Sequence, residues 1–112
     1  MVYPRTNSYQ ARETGIHNVS IRGVTIPVSH QRGGLLIWGN PTYKGKNVEL
    51  TARKSGDTLN ACFVEHMRNG RIQYVAVFPR LEPGDYETGY FSGHSYVRIS
   101  ISSGYVTQLD WS

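Results

Sequence analysis

Four histidines, His17, His30, His66 and His94, together with Cys62 and scattered serines and carboxylates, are the residues through which this chain could do acid–base, nucleophilic or metal chemistry. A local metal site needs its ligands two to four residues apart on one element. No two of these histidines lie within twelve residues of each other, so none forms such a pair. Cys62, His66 and Met67 are close in sequence, but a copper site draws its ligands from separated loops. Cys62 is the only cysteine, which leaves no internal disulfide and no thiol pair. Its alternating surroundings, Leu59 to Met67, make it a strand residue rather than an activated nucleophile. Ser92, Ser95, Ser102 and Ser103 sit in turns or on strand faces, without a Gly-x-Ser-x-Gly elbow. Glu82, Asp85 and Glu87 share a Pro-Gly loop, where carboxylates act as solvated turn residues. No Gly-x-Gly-x-x-Gly or Walker loop is present. The expectation is a protein that is not an enzyme and that takes neither cofactor nor metal.

The elements that would carry these residues are organised around Phe78-Pro79-Arg80-Leu81-Glu82-Pro83-Gly84-Asp85-Tyr86. Before it, Tyr74, Ala76 and Phe78 alternate with Val75 and Val77, the period of a strand. The prolines fix φ and remove backbone donors, and Gly84 gives the freedom that a reversal needs. A corner therefore joins two strands. Leu81 is its apolar plug, and Tyr86 is placed as in a tyrosine corner, with its hydroxyl returning to upstream backbone.

Alternation recurs along the chain. Val19 and Ile21, then Val24, Ile26 and Val28, give two short strands or one bulged at Gly23, with Pro27 restricting the second to a sheet edge. Leu35-Leu36-Ile37-Trp38, flanked by glycines, reads as a buried strand. Val48, Leu50 and Ala52 form a half-buried strand, and Leu59 to Met67 forms the next. Asn69-Gly70 then predicts a type I′ hairpin, because that turn needs positive φ at both central positions. Val97, Ile99 and Ile101 line one face of a later strand, after a turn at Ser92-Gly93-His94. Tyr105, Thr107, Leu109 and Trp111 line one face of the last strand. The count is about eight short strands without helical periodicity, which argues an all-β fold, a single antiparallel β-sandwich.

At 112 residues the chain makes one domain. Twelve glycines and five prolines suit frequent turns, and no apolar run approaches a membrane span or the h-region of a signal peptide. A cytoplasmic location and no membrane partner are the expectations. The net charge is +4, and residues 1–34 hold +3 of it: Arg5, Arg12, Arg22 and Arg32 stand against Glu13 alone. Residues 1–15 have no strand or helical period and interleave Tyr3 and Tyr9 with Arg5 and Arg12, so they are expected to form an extended arm ahead of a sandwich at 16–112. Such an arm lacks the apolar surface to order by itself and would order on a partner.

Leu81-Glu82-Pro83-Gly84-Asp85-Tyr86, followed by Val97-Arg98-Ile99-Ser100-Ile101 and Val106-Thr107-Gln108-Leu109-Asp110-Trp111, resembles the prealbumin-like sandwich modules, among them carboxypeptidase regulatory-like and Cna-B-type repeats. The chain is also similar to short bacterial proteins that run from Gly-x-x-Val-Glu-Leu, here Gly45 to Leu50, through Val77-Phe78-Pro79 and Pro83-Gly84-Asp85-Tyr86 to a closing Asp110-Trp111. The resemblance covers residues 35–112 and implies a non-catalytic module.

Three binding functions fit these observations. Trp38, Trp111 and eight tyrosines could offer aromatic faces to a carbohydrate. The arginines and tyrosines of the arm, with a pI near 9.4, suit single-stranded nucleic acid. The preferred expectation is a structural or accessory subunit that docks on a protein partner, or on itself, through the arm and the sheet edges. Its expected contact residues are Tyr3, Arg5, Tyr9, Arg12, Arg22 and Arg32, types that anchor interfaces. Leu81, Pro83, Gly84 and Tyr86 are expected to be structural.

Overall fold

The computed structural model describes residues 5–10, 16–89 and 96–111, with side chains from residue 18 onward. Its strands are β1 (Arg5–Gln10), β2 (Ile16–Ile21), β3 (Val24–Ser29), β4 (Gly33–Gly39), β5 (Asn47–Ala52), β6 (Thr58–Cys62), β7 (Val64–Arg68), β8 (Arg71–Leu81), β9 (Gly84–Gly89), β10 (Tyr96–Ile101) and β11 (Tyr105–Asp110). A single 3-10 turn, Pro41–Tyr43, interrupts them, and no described helix is long and apolar enough to cross a membrane.

The fold is an all-β sandwich. One sheet runs β1-β11-β4-β8-β7, the second runs β10-β9-β5-β6, and the β2-β3 hairpin forms a third, two-stranded piece. Side-chain alternation explains why three layers form. On β4, Leu35 and Ile37 point into the core shared with Val48, Leu50, Tyr86, Ile99 and Ile101 of the four-stranded sheet. Leu36 and Trp38 point the other way, into a second core with Ile21, Val24, Ile26 and Val28 of the hairpin. A strand covered on both faces must be apolar at successive positions, and Leu35 to Trp38 are all buried.

Four features depart from the sequence reading. There are eleven described strands rather than about eight. The run from Leu59 to Met67 is two strands: β6 belongs to the four-stranded sheet and β7 to the five-stranded one, and Phe63 is the pivot between them. The Phe63 ring is buried, its N–H donates to the Lys46 carbonyl at 2.9 Å, and its carbonyl accepts from Gly45 at 3.1 Å. One buried residue thus carries the chain from one sheet to the other without breaking the alternation that made the run look continuous. Third, β11 runs parallel to β4, while every other pairing among the described residues is antiparallel. Fourth, Arg5–Gln10 pairs antiparallel with β11, Arg5 opposite Asp110 and Gln10 opposite Tyr105. The domain's own last strand holds that part of the arm. Residues 1–4 and 11–15, and with them Tyr3 and Arg12, lie outside the described residues, as does the turn at Ser92-Gly93-His94.

Both tight hairpins use left-handed pairs. Arg22 and Gly23 have φ of 50° and 80°, and Asn69 and Gly70 have 52° and 74°, as type I′ turns require. Between its pairings Gly33↔Leu81 and Leu35↔Phe78, β8 carries one residue more than β4, a bulge marked by Arg80 at φ 55°.

Candidate functional site

The corner that organises the sequence is built as structure. Leu81 is buried, and the Tyr86 hydroxyl donates to the Glu82 carbonyl at 2.6 Å, which spans the reversal at Pro83 and Gly84. Burial, and next the Glu82 carboxylate, raise the Tyr86 hydroxyl above its ordinary pKa, while Arg32 opposes them. A cleft of about 320 Å³ lies beside the corner, lined in part by Arg32, Ser55, Asp57, Leu59, Arg80 and Glu82. Some of the residues that line it are joined in turn and surface pairs. Arg32 meets Glu82 at 3.2 Å, and the Ser55 hydroxyl accepts the Asp57 N–H at 3.2 Å.

Of the remaining chemistry-bearing residues, His30 and His66 stand far apart in the fold's order, on the loop after β3 and on β7. The side chain of His17 and all of His94 lie outside the described residues, as do Ser92 and Ser95. Cys62 is exposed at the end of β6. Among the described residues no three His, Cys, Asp or Glu side chains gather as a metal would need. Trp38 and Trp111 are buried, so neither presents a ring face to solvent. Among the described residues Tyr96 is the exposed aromatic, at 79%.

A different region stands out: the outer edge of β7. It is the last strand of the five-stranded sheet, so among the described residues no strand pairs with its outer side. The Asn69-Gly70 turn is closed by Arg68 opposite Arg71, a pair that is hydrogen-bonded in a two-residue hairpin. Pairs alternate from there, so Met67 and Glu65 direct their N–H and C=O away from β8. Phe63, next in that alternation, has its outward groups taken by Gly45 and Lys46. The covered edge therefore ends at Phe63, and the open edge begins at Glu65.

Side chains on this edge divide by face. Val64, His66 and Arg68 lie opposite Val75, Gln73 and Arg71, and share their face of the sheet. It is the face of the β2-β3 hairpin, because the Gln73 side chain donates to the Arg22 carbonyl at 3.3 Å. A Cβ added to Gly23 would stand 2.9 Å from the His66 Nε2 and 3.8 Å from the Arg68 Cδ, so the hairpin tip rests against both side chains. The Arg22 guanidinium lies 4.8 Å from the centre of the Trp38 ring, a cation–π contact. Ion pairs among the described residues engage Arg32, Lys44, Arg53 and Arg98, and none engages Arg22, Arg68 or Arg71. The opposite face carries Met67 beside Ile72, both exposed, and Glu65, which Lys44 meets at 2.7 Å. Hydrogen bonding to Glu65, followed by its charge, raises the Lys44 ammonium above its usual value.

No family model, curated protein or solved structure matches the chain.

Of the contact residues expected from sequence, Arg22 stands at the cationic corner beside β7. Arg32 stands at the cleft by the tyrosine corner, away from it. Arg5 and Tyr9 lie on β1, their side chains outside the described residues. Sequence reasoning missed Val64, Met67, Arg68, Arg71 and Ile72. The signal was the doubled arginine flanking Asn69-Gly70 together with apolar residues on both alternating faces of 64–68, one face too many for a half-buried strand.

Proposed function

We propose that the protein is a non-catalytic interaction module, a structural or accessory subunit that joins a larger protein assembly by accepting an extended segment of its partner along the outer edge of β7. The observation that carries this is an antiparallel edge with outward backbone groups at Glu65 and Met67 and exposed apolar side chains on both faces: Val64 at 52%, Met67 at 68% and Ile72 at 48%. Natural edge strands are commonly blunted by proline, inward charge or a covering loop. Here the loop at Gly45 and Lys46 covers the edge only as far as Phe63. Strand addition to such an edge gives affinity through main-chain bonds and selectivity through alternate side chains. The corner motif and the closing strands support reading the sandwich as a prealbumin-like module, for which a binding role is in keeping.

The test is purification of the full chain from its native source beside a Val64→Lys/Met67→Lys variant. The wild type should elute with a stoichiometric partner and the variant alone, with thermal melts alike. A variant that stays in the complex sinks the reading.

A further inference from the structure

We infer that the segment accepted by β7 is acidic, with carboxylates two residues apart that meet His66 and Arg68. This rests on the strand-addition reading above and adds to it the chemistry of the partner.

In an added strand, residues on the hairpin-side face lie beside Val64, His66 and Arg68, because successive residues alternate between faces. Two of those three positions carry nitrogen-bearing side chains, the His66 ring and the Arg68 guanidinium. Arg71, across from Arg68, and Arg22, at the abutting hairpin tip, add positive charge to the same face. None of these arginines has an ion pair among the described residues. The opposite face differs: Glu65 is already met by Lys44, and Met67 sits beside Ile72. The complement is a strand of the form acidic-x-acidic-x-apolar, with the apolar residue against Val64 and an apolar residue between the acids against Met67.

A second copy of the chain fits poorly. Antiparallel self-pairing of β7 must keep faces matched, so the two-fold axis passes through a residue. About His66 it sets the two histidines against each other, and about Met67 it sets His66 against Arg68, so neither register brings a carboxylate to this face. A polyanion without strand-forming backbone would use the arginines but not the edge. Trp38, the aromatic that Arg22 covers, is buried and offers no base-stacking surface.

The experiment titrates the full chain with three capped, fluorescently labelled heptapeptides: Thr-Glu-Val-Glu-Val-Val-Thr, the same sequence with Gln for Glu, and the same with Lys for Glu. A single-stranded DNA 12-mer is the fourth probe. Amide hydrogen exchange at Glu65 and Met67 reports edge pairing. The acidic peptide should bind at least about tenfold more tightly than the Gln peptide, a preference that falls as salt rises. That preference should vanish in Arg68→Glu/Arg71→Glu, while exchange protection at Glu65 and Met67 persists with the Gln peptide. Met67→Pro, which removes an outward N–H, should weaken all peptides. Should that variant unfold, the surface double variant still decides the charge question.

Equal binding of the acidic and Gln peptides overturns the inference and leaves strand addition standing. No peptide binding and no protection overturns both. Tight DNA binding that survives Met67→Pro overturns the inference in favour of a polyanion.

Discussion

The indole N–H of Trp38 donates to the side-chain oxygen of Gln108 at 2.7 Å, between β4 and β11, where both residues are buried. Gln108 is one of only three buried polar residues among those described, the others being Thr88 and Thr107. The bond ties the one parallel pairing of the sheet to the layer beneath the hairpin, whose Arg22 lies over the same indole.

Removing one partner of this bond should cost more than removing both. Gln108→Leu leaves a buried N–H without its acceptor, a loss of about 1–3 kcal/mol. Trp38→Phe strands the Gln108 amide and gives up ring area besides. The double variant should be more stable than the sum of the single losses predicts, by roughly 0.5–3 kcal/mol. Urea unfolding of the four proteins checks this, and strict additivity would show that the two side chains act independently.

The Tyr86 hydroxyl carries a pH signature. Its folded pKa is raised, chiefly by burial and then by Glu82. The unfolded phenol ionises near 10.0, so above that pH the unfolded chain binds fewer protons than the folded one and stability falls. The contribution is whole below pH 10 and is lost as pH climbs through the folded pKa. Tyr86→Phe should cost about 1 kcal/mol at neutral pH. It should also flatten the alkaline decline in melting temperature, and a decline as steep as in the wild type would assign it to another group.

How much of this was legible in the sequence depended on what each residue is paired with. Period-2 runs such as Val97-Arg98-Ile99-Ser100-Ile101 report burial on one face, and the strand they imply is present. The Asn69-Gly70 turn and the Tyr86 corner are local chemistry, readable without partners. The role of β1 was not readable: Arg5-Thr6-Asn7-Ser8-Tyr9-Gln10 shows no apolar alternation, and an edge strand held by backbone bonds needs none. The break at Phe63 was hidden because a strand that changes sheets at a buried residue keeps its period. The parallel β4–β11 pairing joins segments about seventy residues apart and leaves no mark in either. The β7 edge was missed for the opposite reason. Its residues were read only as part of one alternating strand, Leu59 to Met67, although Val64 and Met67 are exposed on opposite faces.

Gly33 and Gly34 begin β4, where neighbouring atoms leave no room for a Cβ. A Cβ on Gly33 would collide with the Ser102 carbonyl oxygen, which is backbone and cannot swing aside. A Cβ on Gly34 would lie 2.6 Å from the Ile26 Cδ1, the end of a side chain that can turn away within the hairpin core. Both alanine variants should lose stability by overpacking, about 1–3 kcal/mol, with Gly33→Ala the worse. Adding Ile26→Val should rescue Gly34→Ala and leave Gly33→Ala unrescued, a contrast that melts of the four proteins would measure.

Truncation before residue 11 tests what β1 does. In roughly six residues of antiparallel strand, about one hydrogen bond per residue forms, each worth a net ~1 kcal/mol. Ordering the same residues costs ~1–2 kcal/mol each. The gain does not exceed the cost, so β1 adds little to stability and the melting temperature should move by only a few degrees. The larger effect is on association. Without β1, the outer edge of β11 is bare along Val106 to Leu109, all buried residues, the kind of edge that recruits another chain. Loss of an arm that only reaches for partners would reduce assembly, whereas loss of a strand that covers β11 should increase it. Light scattering on the full and truncated proteins, at equal concentration and with the melts alongside, separates the two. A rise in mass after truncation is the expected result, and a fall would return residues 5–10 to a partner-seeking role.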